Sequence, residues 1–379
     1  MKCIHCGRTS LLRERTRGRC PGCGHRFAFD PAARPGAGTD AEFQEAIDRV
    51  SGGGQLWFTA RQLWLAANGP RTIPPPPSTT GPSVLFALGF ALPGMILALF
   101  EPGLLIMAFV GGLAGAAIGA GAARDETLKY ADQLTPRLPF NVFLSHQLTP
   151  WQEVHGDIPG LLPVRGGEVA GEPRQLPADM AALSVDRVVV TDRWQTARML
   201  VANRFHLQHD CAVLSRDGYP KGDADTIREM LRRTPNLTVF ALHDASIDGC
   251  QLPLELREPE WFPDPSVRVV DLGLRPETVM RLGLPPIIDK DTTSWSARLG
   301  ELLPYEDRQW RDVGNVYELA ALPSEQVMRA AYQGMVAAGR DNGSGRAPAY
   351  DGAHWAGVAD GFRPLAGGGA DTAVVVGSG

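Results

Sequence analysis

Lysine is nearly missing from this chain. Only Lys2, Lys129, Lys221 and Lys290 occur among 37 basic residues, so arginine carries the positive charge. With alanine, glycine and proline all abundant, that bias reads as the coding signature of a GC-rich genome and not as function. An excess of positive charge is missing too. The formal net charge of -5 excludes a surface coated all over for nucleic acid, because phosphate binding rests on accumulated lysine and arginine. Any basic surface has to be local. Cysteines spread through the chain, the mark of a secreted disulfide framework, are also absent. Four of the 6 fall within the first 23 residues, and Cys211 and Cys250 are expected to sit reduced in a core. The opening "MKCIHCGRTS" lacks the apolar run of a signal peptide, which predicts a cytoplasmic N-terminus.

What is present begins with length: 379 residues at 44% apolar content suffice for two or three domains and exclude wholesale disorder. "CIHC" and "CPGC" pair Cys3 with Cys6 and Cys20 with Cys23 across thirteen intervening residues. Each C-x2-C turn aims two thiolates at one point, and two such knuckles make a closed tetrahedral Zn2+ site that holds together a segment too small for its own core. We therefore expect a structural zinc ribbon over residues 1–35. Four cysteines complete the shell, so His5 and His25 are read as surface residues. Lys2, Arg8, Arg13, Arg15, Arg17, Arg19, Arg26 and Arg34 face only Glu14 and Asp30 in this stretch. That excess suits DNA, RNA or another acidic partner, and it equally suits a solvated face.

"TDAEFQEAIDRVS" places Thr39 or Asp40 as N-cap before Phe43, Ile47 and Val50 at helical spacing, and "GQLWFTARQLWLAANG" predicts a short strand and a helix capped by Thr59. A proline-rich linker follows at 71–82. From Ser83 to Ala123 only Glu101 is charged, and two apolar runs of near-membrane length flank "EPG". Backbone groups in hydrocarbon must bond internally, so the fitting structure is a transmembrane helical hairpin over 83–123 with Pro93 kinking its first helix. Gly111, Gly115 and Gly119 form a small-residue face for close packing within one chain or between two. Arg61 and Arg71 before the hairpin, and Arg124, Lys129 and Arg137 after it, predict an integral protein of the cytoplasmic membrane with both flanks and both termini on the cytoplasmic side. Residues 124–180 read as a connector of short helices and loops, with Trp151 a packing residue. Residues 339–379 read as a flexible glycine-rich tail.

Between 181 and 338 strand and helix alternate. "RVVV" is a central parallel strand, "RWQTARMLVANRF" a helix, "DCAVLSRDGYP" a strand and loop, "GDADTIREMLRRT" a capped helix, and "NLTVFALHD" a second buried strand. The fold class is therefore multidomain, with an α/β domain built on a parallel sheet. Ligands of such sheets bind beyond the carboxyl ends of strands, so Asp192 and the loop from Asp244 to Asp248 should meet at one edge.

"VVVTDRWQTARML", "CAVLSRDGYPKGDADT" and "TVFALHDASIDG" together resemble the Toprim domain of the topoisomerase VI A subunit and its relatives that initiate meiotic recombination. Gly218, Tyr219 and Pro220 match that family's middle loop. "VVDLGLRPETVMRLGLP" and "VYELAALPSEQVMRAAY" resemble later segments, so the likeness spans roughly 185 to 335. It implies a Mg2+ site, with the metal-binding glutamate falling on Asp192, the first loop aspartate on Asp244 and the second on Ser246. Serine is a weak Mg2+ ligand, and Asp248 is the nearest substitute. The resemblance also implies a degenerate winged helix over 38–70. In "TARQLWLAA", Arg61, Leu63 and Trp64 fit the motif, and Leu65 stands where the nucleophilic tyrosine would be. Leucine forms no phosphoester, so covalent strand cleavage is lost. A homodimer is implied by the same likeness alone.

Three functions compete at this point. One is a catalytically degenerate, membrane-anchored binding or scaffold protein. Another is a Mg2+-dependent phosphoryl-transfer or nuclease-type enzyme using Asp192, Asp244 and Asp248, with Arg193 or Lys221 near the phosphate. The third is a tether that brings DNA or RNA to the membrane through the ribbon. A structural reading stands beside them, in which Asp244 and Asp248 cap the following turn.

Overall fold

A computed structural model describes residues 1–15, 18–29, 38–69, 138–164, 172–174, 185–234, 236–264, 267–282, 284, 286–288, 315–340 and 352–357. The linker at 71–82 and the hairpin at 83–123, with Gly111, Gly115 and Gly119, lie outside the described residues. Among the described residues no helix is long and apolar enough to cross a membrane. The chain divides into two compact units. The first comprises Met1–Gly69, Pro136–Leu284 and Asp289–Phe362, and the second Pro70–Thr135, Pro285–Ile288 and Arg363–Gly379. The ribbon, the segment after it and most of the α/β region fall into the first unit.

Helix α1 (Asp40–Val50) starts where the sequence places it. Thr39 Oγ1 accepts from Glu42 N at 3.2 Å while Glu42 Oε2 accepts from Thr39 N at 2.9 Å, a reciprocal capping box. Its buried Phe43 meets Phe29 at 5.2 Å and Trp151 at 4.9 Å between ring centroids, so Trp151 is the packing residue expected of it. Strand β1 (Phe58–Thr59) leads into α2 (Ala60–Asn68), again through a capping box, here Thr59 with Gln62. In the described part of the connector, short helices lead into a strand. Helix α3 (Phe140–Phe143), a π-helical turn (Leu144–Leu148) and α4 (Thr149–His155) run on into β2 (Leu161–Leu162), which pairs in parallel with β1.

The α/β region has four parallel strands: β3 (Arg187–Thr191), β4 (Ala212–Ser215), β5 (Thr238–Leu242) and β6 (Arg268–Asp271), in the order β4-β3-β5-β6. The central strand registers Val189 between Val213 and Phe240. Alternate residues point to opposite faces, and both faces are covered. Val189, Val213 and Phe240 pack with Leu200 of α5 (Trp194–Ala202) and with Val327 and Met335 of the last long helix, Ser324–Arg340. Val188, Val190 and Leu214 pack with Ile227 of the helix Ala224–Leu231 and Leu252 of the helix Ile247–Glu255. Burial on both sides is why "RVVV" carries no alternation. We number the helices after α5 as α6 (Phe205–Gln208), α7 (Ala224–Leu231), α8 (Ile247–Glu255), α9 (Pro276–Arg281) and α10 (Ser324–Arg340).

Three local readings change. The helix expected through Phe205 breaks after Ala202, because Arg204 takes a left-handed φ of 59°, and α6 restarts beyond it. Asp223 precedes α7 but makes no side-chain cap bond. The tail expected from 339 on is ordered at two points: α10 reaches Arg340, and Trp355 is fully buried, its Nε1 donating to the carbonyls of Leu272 and Gly273 at 3.2 Å. Strand β8 (Asn315–Val316) precedes the segment that completes the site, while the second unit contributes the described strand β7 (Ile287–Ile288).

Candidate functional site

The chain leaves β3 for β4 on one side and returns across it to β5 on the other. Connections from β3 and β5 therefore diverge and leave a crevice at their carboxyl ends, the place where open α/β sheets bind ligands. Asp192 follows β3, and His243 and Asp244 follow β5. As expected from the sequence, the two acids meet: Asp244 N donates to Asp192 Oδ2 at 3.1 Å. Both are buried, Asp192 at 5% exposure and Asp244 at 1%.

Both oxygens of Asp244 are already engaged. Arg193 Nε donates to Oδ2 at 2.6 Å, and Leu319 N donates to Oδ1 at 2.7 Å. Glu318, next to Leu319, takes a two-pronged ion pair from Arg61 Nε and Nη2, and Arg193 Nη2 stands 3.9 Å from it. The Arg61 guanidinium also lies over the rings of Trp64 and Phe140 at 5.1 and 5.6 Å. Behind Asp244, His243 Nδ1 faces the Asp244 carbonyl at 2.8 Å and Nε2 faces Asp271 Oδ1 at 3.1 Å. Both partners are acceptors, so both ring nitrogens carry hydrogen and the imidazole is cationic. Arg275 closes the far side of Asp271 through Nε at 2.8 Å and Nη2 at 2.6 Å. A methyl group at Gly273 would overlap the His243 ring, so glycine is required there.

Burial, reinforced by the neighbouring Asp244 charge, pushes the Asp192 carboxyl up to about 7. Its Oδ1 is buried without a hydrogen-bond partner. Burial acts on Asp244 in the same direction, but Arg193 opposes it, and Asp244 in turn holds the Arg193 guanidinium more firmly protonated than usual. For His243, burial alone would favour the neutral ring; the Asp271 carboxylate outweighs it and raises the pKa. Burial would likewise raise Asp271, yet His243 and Arg275 bring it down to about 2. Each ionised carboxylate here has a cationic partner within the protein.

Asp248 does not join the other two acids. It is exposed on the first turn of α8, and its carbonyl accepts from Arg216 Nη1 at 3.0 Å. Ser246, which the sequence resemblance aligns with a second loop acid, is the N-cap of α8, its Oγ accepting from Gly249 N at 3.0 Å. The turn is therefore capped by neither Asp244 nor Asp248. Leu65 is buried within α2 and Lys221 is exposed. Among the described residues, the ribbon cysteines are the one group of three or more His, Cys, Asp or Glu side chains that could hold a metal ion. Asp192, Asp244 and Asp248 do not supply the convergent oxygen ligands that Mg2+ requires. Sequence reasoning missed Glu318, Asp271 and His243. The rule that found Asp192 and Asp244, an acid at the end of an apolar strand, also applies to "VRVVD" and would have found Asp271. Glu318 has no local signal, because its partner Arg61 is 257 positions away.

The four ribbon cysteines are placed so that they could hold a metal ion such as Zn2+. The Sγ atoms of Cys3, Cys6, Cys20 and Cys23 all lie within 4.8 Å of one another, with Cys3 to Cys23 at 3.7 Å and Cys6 to Cys20 at 3.6 Å. A tetrahedral Zn2+ with bonds near 2.3 Å requires sulfur separations of about 3.8 Å. The two knuckles repeat one hydrogen-bond pattern: Cys3 N to Arg8 O and Gly7 N to Cys3 O in the first, Cys20 N to His25 O and Gly24 N to Cys20 O in the second. Gly7 and Gly24 turn the chain at φ of 74° and 72°. Backbone N–H groups of Cys23 and Gly22 bring the Cys20 thiol down to about 6. The His25 backbone N–H acts on the Cys23 thiol in the same direction, but burial and the neighbouring Cys6, Cys3 and Cys20 outweigh it and push that thiol up to about 12. Cys211 and Cys250 are both buried, and neither is in a disulfide. No family model, curated protein or solved structure matches this chain.

Proposed function

We propose that the chain is a membrane-anchored binding or scaffold protein with a Toprim-like α/β domain that has lost phosphoryl chemistry. In this reading the apolar runs at 83–123 anchor it, and the termini face the cytoplasm. The four-cysteine ribbon presents a cationic face to DNA or RNA, and a homodimer rests on the family likeness alone. One observation carries it: Arg193 sits on Asp244 Oδ2 at 2.6 Å, where a divalent cation would have to bind, while Leu319 N holds Oδ1. Arginine thus supplies the positive charge that a metal supplies in a working site. The exposed Lys2, Arg8, Arg13, Arg19 and Arg26 support the ribbon's role, because cations free of buried packing can follow a phosphate backbone.

Calorimetric titration of the intact chain with Mg2+ or Mn2+ tests this, with Asp244→Asn as the control. No binding at millimolar metal is the expected result. Heat that disappears in Asp244→Asn, together with metal-dependent cleavage of DNA or RNA, would overturn it. The orphaned Asp192 Oδ1 favours the second reading, a Mg2+-dependent enzyme, since a carboxylate oxygen without a partner suits a cation. For Asp192, Asp244 and Asp248 to act together, Arg193 must swing out and α8 must re-aim Asp248. The same titration separates the two.

A further inference from the structure

Three histidines gather beside the zinc knuckles. The rings of His5 and His25 stack with centroids 3.4 Å apart, and the ring of His155, at the end of α4, lies 5.5 Å from that of His5 at 28°. His5 Nε2 faces His155 Nδ1 at 3.4 Å. The other nitrogen of His155, Nε2, is 2.8 Å from Oδ2 of Asp40. Asp40 is fully buried and is itself fixed by the backbone N–H groups of Ala28 and Phe29, both at 3.0 Å. A carboxylate there keeps the His155 proton on Nε2, so in the neutral ring Nδ1 presents a bare lone pair towards His5.

The gap between the two nitrogens is long for a hydrogen bond, which runs from about 2.7 to 3.2 Å. It equals the separation of about 3.3 to 3.4 Å between two imidazole nitrogens on one tetrahedral ion with bonds of about 2.0 to 2.1 Å. A histidine whose second nitrogen is held by a buried carboxylate is also the usual outer-shell arrangement of a metal-ligating imidazole. The stack with His25 fixes the plane of His5 on its other side. His5 remains exposed, so an ion can reach it from solvent.

We propose that His5 and His155 form a second metal site, distinct from the four cysteines, for a divalent ion of the Zn2+ class, with Asp40 as its outer-shell partner and water in the remaining positions. Imidazole suits such ions better than Mg2+ or Ca2+. One ligand comes from the first zinc knuckle and the other from α4, so the bound ion clamps the ribbon to the helix. This inference does not depend on the function proposed above.

The test is titration of the intact, zinc-loaded chain with Zn2+ against a chromophoric chelator. The wild type should take up a second equivalent. His5→Gln and His155→Gln should keep the first and weaken the second more than tenfold, and Asp40→Asn should weaken it roughly ten- to hundredfold. Asp40 and His155 also hold structure, so His5→Gln, on an exposed ring, is the decisive variant, and its retained first equivalent reports an intact ribbon. A single equivalent in the wild type, or a second equivalent unchanged in His5→Gln, overturns the proposal.

Discussion

At the scale of single residues, the crevice is governed by the difference between two neighbouring carboxyls. Asp244 has Arg193 and a backbone N–H; Asp192 has one backbone N–H and an unpartnered oxygen. The folded protein therefore holds a proton on Asp192 up to a pH of about 7, whereas the unfolded chain releases it near 3.8. Between those values the folded state binds more protons than the unfolded, so this group's contribution to stability is greatest at acid pH and falls as pH rises towards 7. Asp192→Asn removes that fall. We expect the variant's advantage over the wild type to grow by on the order of 1–3 kcal/mol between pH 5 and pH 8. Urea unfolding at both pH values checks this, and parallel pH dependences would mean that Asp192 ionises normally. A second expectation concerns Glu318. Glu318→Gln leaves Arg61 and Arg193 facing a neutral group, and breaking a buried pair costs about 3–5 kcal/mol. Because Arg61 is 30% exposed, a cost nearer 2 kcal/mol is expected. A cost below about 0.5 kcal/mol, the scale of an ordinary surface change, would show the pair to be idle.

At the scale of elements, most of the fold was legible and most of the site was not. Both N-caps of the first two helices, Thr39 and Thr59, follow from side chains a few residues apart, and the strands β3 and β5 follow from apolar runs that only burial on two faces explains. Such signals are local. The Arg61 to Glu318 pair, the Trp355 anchor and the histidine stack join distant stretches, and nothing in either stretch names its partner. Ser246 shows how a position can be read correctly as special and still be assigned the wrong task. It stands where the resembling family carries an acid, and here it caps α8. Aspartate caps a helix about as well as serine, whereas alanine does not. Ser246→Ala should therefore cost about 1 kcal/mol, and Ser246→Asp should change stability by less than about 0.5 kcal/mol. If Arg193 keeps Asp244 occupied, Ser246→Asp should still bind no Mg2+ in calorimetry. Metal binding gained by that one change would mean that serine, and not arginine, silences the site.

At the scale of the whole molecule, the ribbon and the body of the first unit depend on each other through one side chain. Asp40 opens α1, accepts the N–H groups of Ala28 and Phe29 from the end of the ribbon, and faces His155 at the end of α4. Phe29, fully buried, adds ring contacts to Phe43 and to Trp151, the latter at 6.0 Å. A four-cysteine ribbon has too small a core to persist alone, so if the four thiolates hold a metal such as Zn2+, that binding is folding free energy. Removing the ion should loosen Phe27 to Phe29, leave Asp40 buried without its two backbone donors, and open the aromatic cluster to water. The damage should therefore reach well past residue 35. We expect a strong chelator to lower the melting temperature of the intact chain by several degrees and to red-shift tryptophan emission as Trp151 meets solvent, with Zn2+ restoring both. Cys6→Ser, at an exposed ligand, should reproduce the chelated state without added chelator. If chelation left the melting temperature unchanged, the ribbon would be an independent module resting on the body, and the contacts through Asp40 would contribute nothing measurable to holding the two together.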